Sequence, residues 1–197
     1  MNDNHASLCA SEEWAEFLET EVLAPLAATV ELGGELLELG PGPGASTRWL
    51  RHRVERLVAL ELDAGAAAAL AAKFDGTNVT VKVGDSTSIP FADESFDAVA
   101  SITMLHHLPT QAMQFATLSE AFRVLRPDGV LLGSDSLASQ GLHEFHEGDV
   151  YNPIDPPRLL VYLQAAGFNR VTLSVGEGLL FTAHKTTKEC ERDVAPV

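Results

Sequence analysis

Short apolar runs alternate with stretches of helical periodicity over most of this chain. The runs are rich in Val, Leu, Ile and Ala and are bounded by turn-forming residues, which is typical of buried strands. Strands are predicted at residues 36–39, 57–60, 79–83, 97–102 and 130–133, and helices at 46–53, 63–74 and 110–125. This alternation predicts an α/β fold with a mainly parallel sheet covered by helices on both faces. Ligands bind such sheets at the carboxyl ends of the strands.

The segment before the first strand predicts an amphipathic helix. Apolar residues recur at helical spacing from Trp14 to Leu26, and Ser11 is placed to cap the helix. Residues 1–30 are therefore expected to form a helical cap. Trp14 and Phe17 either fold over a bound ligand or pack on the edge of the sheet, and the pattern favours neither.

The segment after the fifth strand predicts a lid and a closing hairpin. Residues 134–155 are rich in Ser, Gly, His and acidic side chains, and an irregular stretch of this length is typical of a functional loop. The following elements are a helix at 157–167, a hairpin of 170–175 and 179–184 joined at 176–178, and a tail at 186–197. A turn is also predicted at 126–129, before the fifth strand.

A glycine-rich loop, Glu38-Leu-Gly-Pro-Gly-Pro-Gly44, joins the first predicted strand to the next helix. Its glycines let the backbone turn sharply and approach a ligand at the helix N-terminus. Gly40, Gly42 and Ala45 also fit the dinucleotide fingerprint G-x-G-x-x-G/A, so an NAD-dependent oxidoreductase is one alternative. Glu38 opposes that alternative, because its carboxylate repels a pyrophosphate and favours a ligand with an amino group and a sulfonium.

Further motifs follow the glycine loop in order along residues 34–185. They are Val58-Ala-Leu-Glu61, Gly84-Asp85-Ser86, Phe96-Asp97-Ala-Val running to Leu105-His106-His107-Leu108, and Leu125-Arg-Pro-Asp-Gly-Val130. Together they resemble the class I S-adenosylmethionine-dependent methyltransferases. The nearest branch is the small-molecule one, methyltransferase domain type 11, which is similar to the ubiquinone and menaquinone biosynthetic enzymes. The resemblance implies a Rossmann-like three-layer sandwich over residues 31–185, whose seven-stranded, mostly parallel sheet ends in an antiparallel hairpin.

The resemblance also implies the cofactor, S-adenosylmethionine, and its product, S-adenosylhomocysteine. Glu61 is expected to accept both ribose hydroxyls and Asp85 the adenine amino group. Asp63 is an alternative for the ribose, but it is better placed to cap the next helix. The cofactor-binding residues that the resemblance implies are Glu38, Gly40, Pro41, Gly42, Gly44, Glu61, Leu62, Asp85, Ser86, Ser101, Ile102 and His106.

Composition restricts the class of molecule that is expected to accept the methyl group. The 197 residues fit one domain and carry a net charge of −15, from 28 acidic and 13 basic side chains. A nucleic-acid partner requires a basic surface, so neither DNA nor RNA is expected. Cys9 and Cys190 are too few for a disulfide scaffold, and no signal region or spanning segment is recognisable. We therefore expect a cytoplasmic monomer or homodimer that acts on a small molecule and has no membrane role.

Histidines supply the candidate catalytic groups. The sulfonium is already a good leaving group, so the protein has mainly to align the reactants and, where needed, remove a proton from the acceptor. Possible bases lie after the fourth and fifth strands, at His106, His107, Asp135, His143 and His146. His106 and His107 are the catalytic candidates, and hydrogen-bonded structural histidines are the alternative.

No metal is expected from the sequence. His143 and His146 lie near Glu147 and Asp149 in the predicted lid, but the group lacks the spacing of a zinc site. The predicted function is therefore transfer of the methyl group of S-adenosylmethionine to oxygen, nitrogen or carbon of a small molecule by in-line displacement. A non-catalytic S-adenosylmethionine-binding regulator or partner subunit remains as the alternative from another class of protein.

Overall fold

A seven-stranded sheet forms the centre of the molecule in the computed structural model, which describes residues 2–186. The strands are β1 (Glu35–Leu39), β2 (Arg56–Glu61), β3 (Val79–Val83), β4 (Phe96–Ile102), β5 (Leu125–Asp135), β6 (Asn169–Val175) and β7 (Leu179–His184). Their order is β3-β2-β1-β4-β5-β7-β6, and β7 runs antiparallel to both neighbours while the other pairs are parallel. The predicted fold class is thereby confirmed.

Eight α-helices cover the sheet in the described part of the chain. They are α1 (Asp3–Cys9), α2 (Glu12–Phe17), α3 (Ala24–Ala27), α4 (Ala45–Leu50), α5 (Ala64–Lys73), α6 (Gln111–Val124), α7 (Gln140–Phe145) and α8 (Pro156–Ala166). A π-helical turn (Leu18–Leu23) joins α2 to α3, and a 3-10 turn (Leu105–His107) follows β4. The predicted caps are present, since Ser11 accepts from the Trp14 amide and Asp63 from the Ala66 amide.

Both faces of the inner strands are buried, which is why β1, β4 and the second half of β5 are mostly apolar. Side chains alternate between faces along a strand, so Leu36 and Leu37 enter different apolar clusters. The cluster around Leu37 includes residues of α6 and α8. The cluster around Leu36 includes residues of α4, α5 and the N-terminal segment. The result is three layers, with the helices of each outer layer anchored to one face.

Several boundaries differ from the sequence prediction for identifiable reasons. The predicted helix at 11–26 is divided into α2, the π-helical turn and α3, because Pro25 in the first turn of α3 has no N–H to donate. Helix α8 begins at Pro156 and not at residue 157. The predicted tail lies outside the described residues apart from residue 186.

The predicted turn at residues 126–129 is wrong. This segment belongs to β5, where it forms an irregular bulge. Leu125 pairs with Phe96 and Val130 pairs with Ala98, so four residues of β5 face one residue of β4. Asp128 adopts φ of 64°, in the left-handed region that turns and bulges use. The turn-forming sequence is therefore absorbed within a strand.

None of the helices among the described residues combines the length and the apolar character that crossing a membrane requires.

Candidate active site

The fold brings the predicted cofactor residues to one edge of the sheet. The glycine loop follows β1, Glu61 ends β2, Asp85 follows β3, and Ser101 lies near the end of β4. These four strands are neighbours in the sheet and run parallel, so their carboxyl ends lie side by side. This edge is where α/β sheets bind ligands.

Two glycines of the loop have different structural roles. Gly40 (φ 61°) faces the Met104 side chain, and an added Cβ would lie 2.3 Å from Met104 Cγ. Gly42 also has positive φ (52°), but an added Cβ there would meet no described atom within 4 Å. Packing therefore accounts for Gly40, whereas the backbone at Gly42 borders open space that a ligand can approach. Pro41 and Gly44 complete the loop, and Gly44 directly precedes α4.

Glu61 reaches across this loop. Its Oε2 accepts a hydrogen bond from the Gly42 amide at 3.3 Å, and its Oε1 accepts one from the Asp63 amide at 3.1 Å. These bonds hold the carboxylate beside the most accessible part of the glycine loop. Leu62 follows with 69% of its surface exposed beside this loop. A carboxylate, an open glycine and an apolar side chain fit a nucleoside with a ribose diol.

Glu38 is buried below the loop. Its two carboxylate oxygens accept hydrogen bonds from the hydroxyls of Ser46 and Thr47, the latter at 2.6 Å. Burial raises the pKa of Glu38 to about 6, although both hydroxyls favour the ionised form. Glu38 thus ties β1 to the first turn of α4 and brings negative charge beneath the loop. Direct contact with the cofactor stays a prediction.

Replacing Glu38 with glutamine is expected to change how stability depends on pH. The ordinary pKa of this carboxyl is 4.5 and its pKa in the folded protein is about 6, so ionisation is easier after unfolding. Stability is therefore lost as the pH rises through this window. One pKa unit corresponds to about 1.4 kcal/mol, so the wild type should lose about 2 kcal/mol relative to Glu38→Gln between pH 4.5 and 7. Urea unfolding of both proteins across this range measures the difference, and a constant difference would contradict the account.

Asp85 and Ser86 form the turn after β3. Asp85 Oδ1 accepts from the Thr87 amide at 2.8 Å and from the Thr87 hydroxyl at 2.7 Å. Ser86 Oγ lies 3.0 Å from the hydroxyl oxygen of Thr117 on α6. Both predicted residues are half-buried at the site edge, and their contact with adenine stays a prediction.

Ser101 and Ile102 are buried at the end of β4. Ser101 pairs in register with Leu39, the residue before Gly40, and therefore lies against the base of the glycine loop. Its Oγ has no hydrogen-bond partner among residues 2–186. A buried hydroxyl without a partner is uncommon and is compatible with a polar ligand next to it.

His106 forms a buried pair with Asp135. Nδ1 of His106 lies 2.6 Å from Oδ1 of Asp135, which ends β5, and both side chains are almost fully buried. Because a carboxylate only accepts, Nδ1 carries a proton, and in the neutral imidazole the lone pair is therefore on Nε2. Nε2 has no hydrogen-bond partner within the described chain. The arrangement is that of an oriented histidine base.

Polar side chains hold the turn that carries His106. Gln114 Nε2 donates to the carbonyls of Leu105 and Asn152, at 3.1 and 2.8 Å. The Asn152 amide donates to the His106 carbonyl at 2.7 Å. The turn after β4 is thereby fixed to α6 and to the segment before α8, so the imidazole cannot change position without breaking several hydrogen bonds.

His107 lies beside His106 but has different neighbours. Its ring stacks on His5 of α1, with centroids 4.9 Å apart. Burial, together with the adjacent His106, lowers the pKa of His107 to about 3, so the ring is neutral. Of the predicted lid residues, His146 packs against these rings, whereas His143 is exposed. Sequence reasoning missed His5 entirely, because nothing in its local pattern connects it with the site.

The N-terminal segment borders the site in two places. Residues 9–12 and Ala15 line a narrow crevice together with Gly44, Ala45, Arg48 and Lys73. Asn2 Nδ2 donates to the carbonyls of Phe145 and Glu147, which joins the start of the segment to the lid. Trp14 packs instead against the apolar cluster that contains Trp49. The Trp14 face therefore packs on the protein core, and coverage of the ligand by the N-terminal segment stays a prediction.

Known proteins resemble this chain in sequence. A family model described as methyltransferase domain matches residues 37–133. A protein of Mycolicibacterium smegmatis described as a probable S-adenosylmethionine-dependent methyltransferase is 32% identical over 176 residues, covering 85% of this chain and 65% of that protein. The demethylmenaquinone methyltransferase of Mycobacterium bovis is 39% identical over 100 residues (51% of this chain, 40% of that protein). The probable tRNA methyltransferase 9B of Mus musculus is 36% identical over 73 residues (37% and 16%). The chain spans less than two thirds of each relative.

Solved structures share the fold at lower identity. The methyltransferase in the Haloferax volcanii complex with the Trm112 methyltransferase activator has a TM-score of 0.72 at 19% identity, covering 95% of this chain and 100% of that chain. An S-adenosylmethionine-dependent methyltransferase of Methanosarcina mazei has a TM-score of 0.72 at 17% identity, covering 84% and 99%. At such identities the likeness concerns the fold alone. The domain match and the sequence relatives show that this chain is similar to the S-adenosylmethionine-dependent methyltransferases.

Proposed function

We propose that this protein transfers a methyl group from S-adenosylmethionine to a hydroxyl group of a small molecule. The observation that carries the proposal is the buried His106–Asp135 pair, which lies at the edge of the sheet where the cofactor residues lie. Nε2 of His106 is buried there without a hydrogen-bond partner among the described residues. A hydroxyl acceptor must lose its proton, which is the step that an oriented histidine assists. S-adenosylmethionine supplies the electrophilic methyl group when it is bound.

Residues of the chain bind the cofactor, accept the proton of the acceptor and exclude water. Glu61 accepts the ribose hydroxyls, and the open backbone at Gly42 lets the ligand approach the loop. His106 accepts the acceptor's proton at Nε2, while Asp135 keeps Nδ1 protonated and stabilises the imidazolium that forms. The segment between β5 and α8 excludes water around the buried histidine and has to open for the acceptor to enter.

Charge supports a small acceptor over a nucleic acid. The net charge of −15 repels a phosphate backbone, and demethylmenaquinone methyltransferase is among the relatives. The resemblance to a probable tRNA methyltransferase covers only 37% of the chain, but it makes RNA the second candidate.

Methyl-labelled S-adenosylmethionine tests the proposal directly. The purified chain is incubated with the labelled cofactor and separate panels of phenols, quinols, aliphatic alcohols, amines and transfer RNA. Label transfer to a hydroxyl compound, with equimolar S-adenosylhomocysteine, is the expected result. Transfer to RNA or amines alone would refute the proposed acceptor, and cofactor binding without transfer to any panel would favour the non-catalytic alternative.

A further inference from the structure

Three histidines from separate parts of the chain meet beside the His106–Asp135 pair. His5 lies in α1, His107 in the 3-10 turn after β4, and His146 directly after α7. One ring nitrogen of each residue lies within 4.8 Å of those of the other two. His5 and His146 are buried, and His107 is half-buried. These residues form the three-histidine cluster.

Each ring of the cluster has one nitrogen engaged by an oxygen of the protein. Nδ1 of His5 lies 3.3 Å from a carboxylate oxygen of Asp149, and Nδ1 of His146 lies 2.7 Å from the Leu142 carbonyl. His107 is hydrogen-bonded to the backbone of Val150. Because carboxylate and carbonyl oxygens only accept, the engaged nitrogens carry the protons. In the neutral rings the lone pairs are on the other nitrogens, and one nitrogen of each ring lies within 4.8 Å of those of the other two.

This pattern is the one that metal-binding histidines show. A ligating imidazole usually donates its second N–H to a carboxylate or a backbone carbonyl, which sets the tautomer and the ring orientation. Nε2 of His146 is also buried without a hydrogen-bond partner among the described residues. The carboxylate of Asp149 lies behind His5 and also accepts a hydrogen bond from the Asn2 amide at 2.7 Å.

We infer that the three-histidine cluster binds one divalent transition-metal ion, and that zinc is the ion it fits best. Imidazole is a preferred ligand of zinc, and three protein ligands leave the fourth tetrahedral position open. Imidazole nitrogens bound to one zinc ion lie roughly 3.3 Å apart, so the rings have to converge by at most about 1.5 Å. No local spacing predicts this site, because only the fold brings His5 to the other two ligands.

The metal would connect three parts of the site. It joins α1 and the lid to the turn after β4, and it lies next to His106, whose ring centroid is 4.1 Å from that of His107. An open coordination position at this place could hold an oxygen of the acceptor. The site stands on its own geometry and does not depend on the identity of the acceptor.

Cobalt and zinc titrations of the untagged, chelator-treated full chain test the inference. We expect one equivalent of Co²⁺ to give the visible absorption of a four-coordinate ion, and one equivalent of Zn²⁺ to displace it. His5→Ala, His107→Ala and His146→Ala should each weaken binding at least about 100-fold. His143→Ala removes an exposed histidine of the same lid and should leave binding unchanged.

Thermal melting of the wild-type chain keeps the test decisive if a variant folds poorly. An ion that binds only the folded state raises the melting temperature as its concentration exceeds Kd, so zinc should stabilise the wild type and the His143→Ala variant. The inference is overturned if the wild type gives no saturable cobalt spectrum, or if folded variants of the cluster bind as tightly as His143→Ala. Neither readout requires S-adenosylmethionine or methyl transfer, so it is separate from the test of the proposed function.

Discussion

Replacing Glu61 with alanine is expected to weaken S-adenosylmethionine binding by about 100-fold. The carboxylate is held over the glycine loop by the Gly42 and Asp63 amides, where it can accept two ribose hydroxyls. Hydrogen bonds to a charged group contribute about 1.5–3 kcal/mol each, so losing the pair should cost about 3 kcal/mol, or two orders of magnitude in Kd. Calorimetric titration of the wild type and the variant measures the change.

Glu55→Ala provides the matched control. Glu55 is an exposed carboxylate just before the start of β2, whereas Glu61 ends the same strand, so the two lie at opposite edges of the sheet. The control should bind S-adenosylmethionine as the wild type does. If Glu61→Ala binds within twofold of the wild type, Glu61 does not hold the ribose, and Asp63 becomes the residue to test.

Replacing His106 with glutamine is expected to lower the rate of methyl transfer to a hydroxyl acceptor by 10²- to 10⁴-fold. General base catalysis typically contributes that range, and glutamine keeps much of the volume while removing the basic nitrogen. His106 is also among the residues that the resemblance implies for the cofactor, but the ribose and adenine are assigned to residues that lie on other strands. Cofactor affinity should therefore change much less than the rate of transfer. Single-turnover rates with a hydroxyl compound from the acceptor panel, measured beside cofactor affinity, separate the two effects.

Two further variants define the role of the pair. Asp135→Asn leaves His106 in place but replaces the carboxylate with an uncharged amide, which can donate to Nδ1 and does not stabilise the imidazolium. It should therefore also slow transfer without lowering cofactor affinity. His52→Gln changes an exposed histidine after α4 and should have no effect. A His106→Gln variant that is folded, binds the cofactor and transfers methyl groups at the wild-type rate would show that His106 is only structural.

The sheet was predictable because its strands leave a local signal. Strands buried on both faces are continuously apolar, and glycine, proline and aspartate mark their ends. Strand β3 has the predicted bounds, Val79–Val83, and Asp63 caps α5 as its position suggested. The bulge in β5 escaped prediction because Pro127, Asp128 and Gly129 have the composition of a turn, whereas pairing with β4 and β7 decides their conformation.

Short helices held by distant contacts could not be predicted in the same way. Helices α1 and α7 have seven and six residues, too few to be stable alone. Helix α1 is fixed by contacts across the chain, such as the hydrogen bond from the Asn2 amide to Asp149 at 2.7 Å. Neither partner shows this in its local sequence.

Some residues of the candidate site were likewise predictable from the sequence, and others were not. The glycine loop and Glu61 were recognisable because they occur within one strand-loop-helix pattern. Asp135 was identifiable as a possible base, but its pairing with His106 arises from the adjacency of β4 and β5. His5 reaches the site only because α1 folds back onto the lid. Residues within one local motif could therefore be predicted from the sequence, whereas contacts between distant elements required the structure.

The order of the strands bears on the main alternative cofactor. The dinucleotide-binding fold has strands in the order 3-2-1-4-5-6, all parallel. Here β7 is inserted antiparallel between β5 and β6, and a carboxylate is buried beneath the glycine loop. Both features disfavour NAD, although the spacing of Gly40, Gly42 and Ala45 fits its fingerprint.

Calorimetric titration of the wild-type chain with S-adenosylmethionine, S-adenosylhomocysteine and NAD tests the central claim most directly. We predict saturable, one-to-one binding of both methionine-derived ligands and no detectable binding of NAD. Binding of NAD without the other two would contradict the assignment of the glycine loop and Glu61 to S-adenosylmethionine.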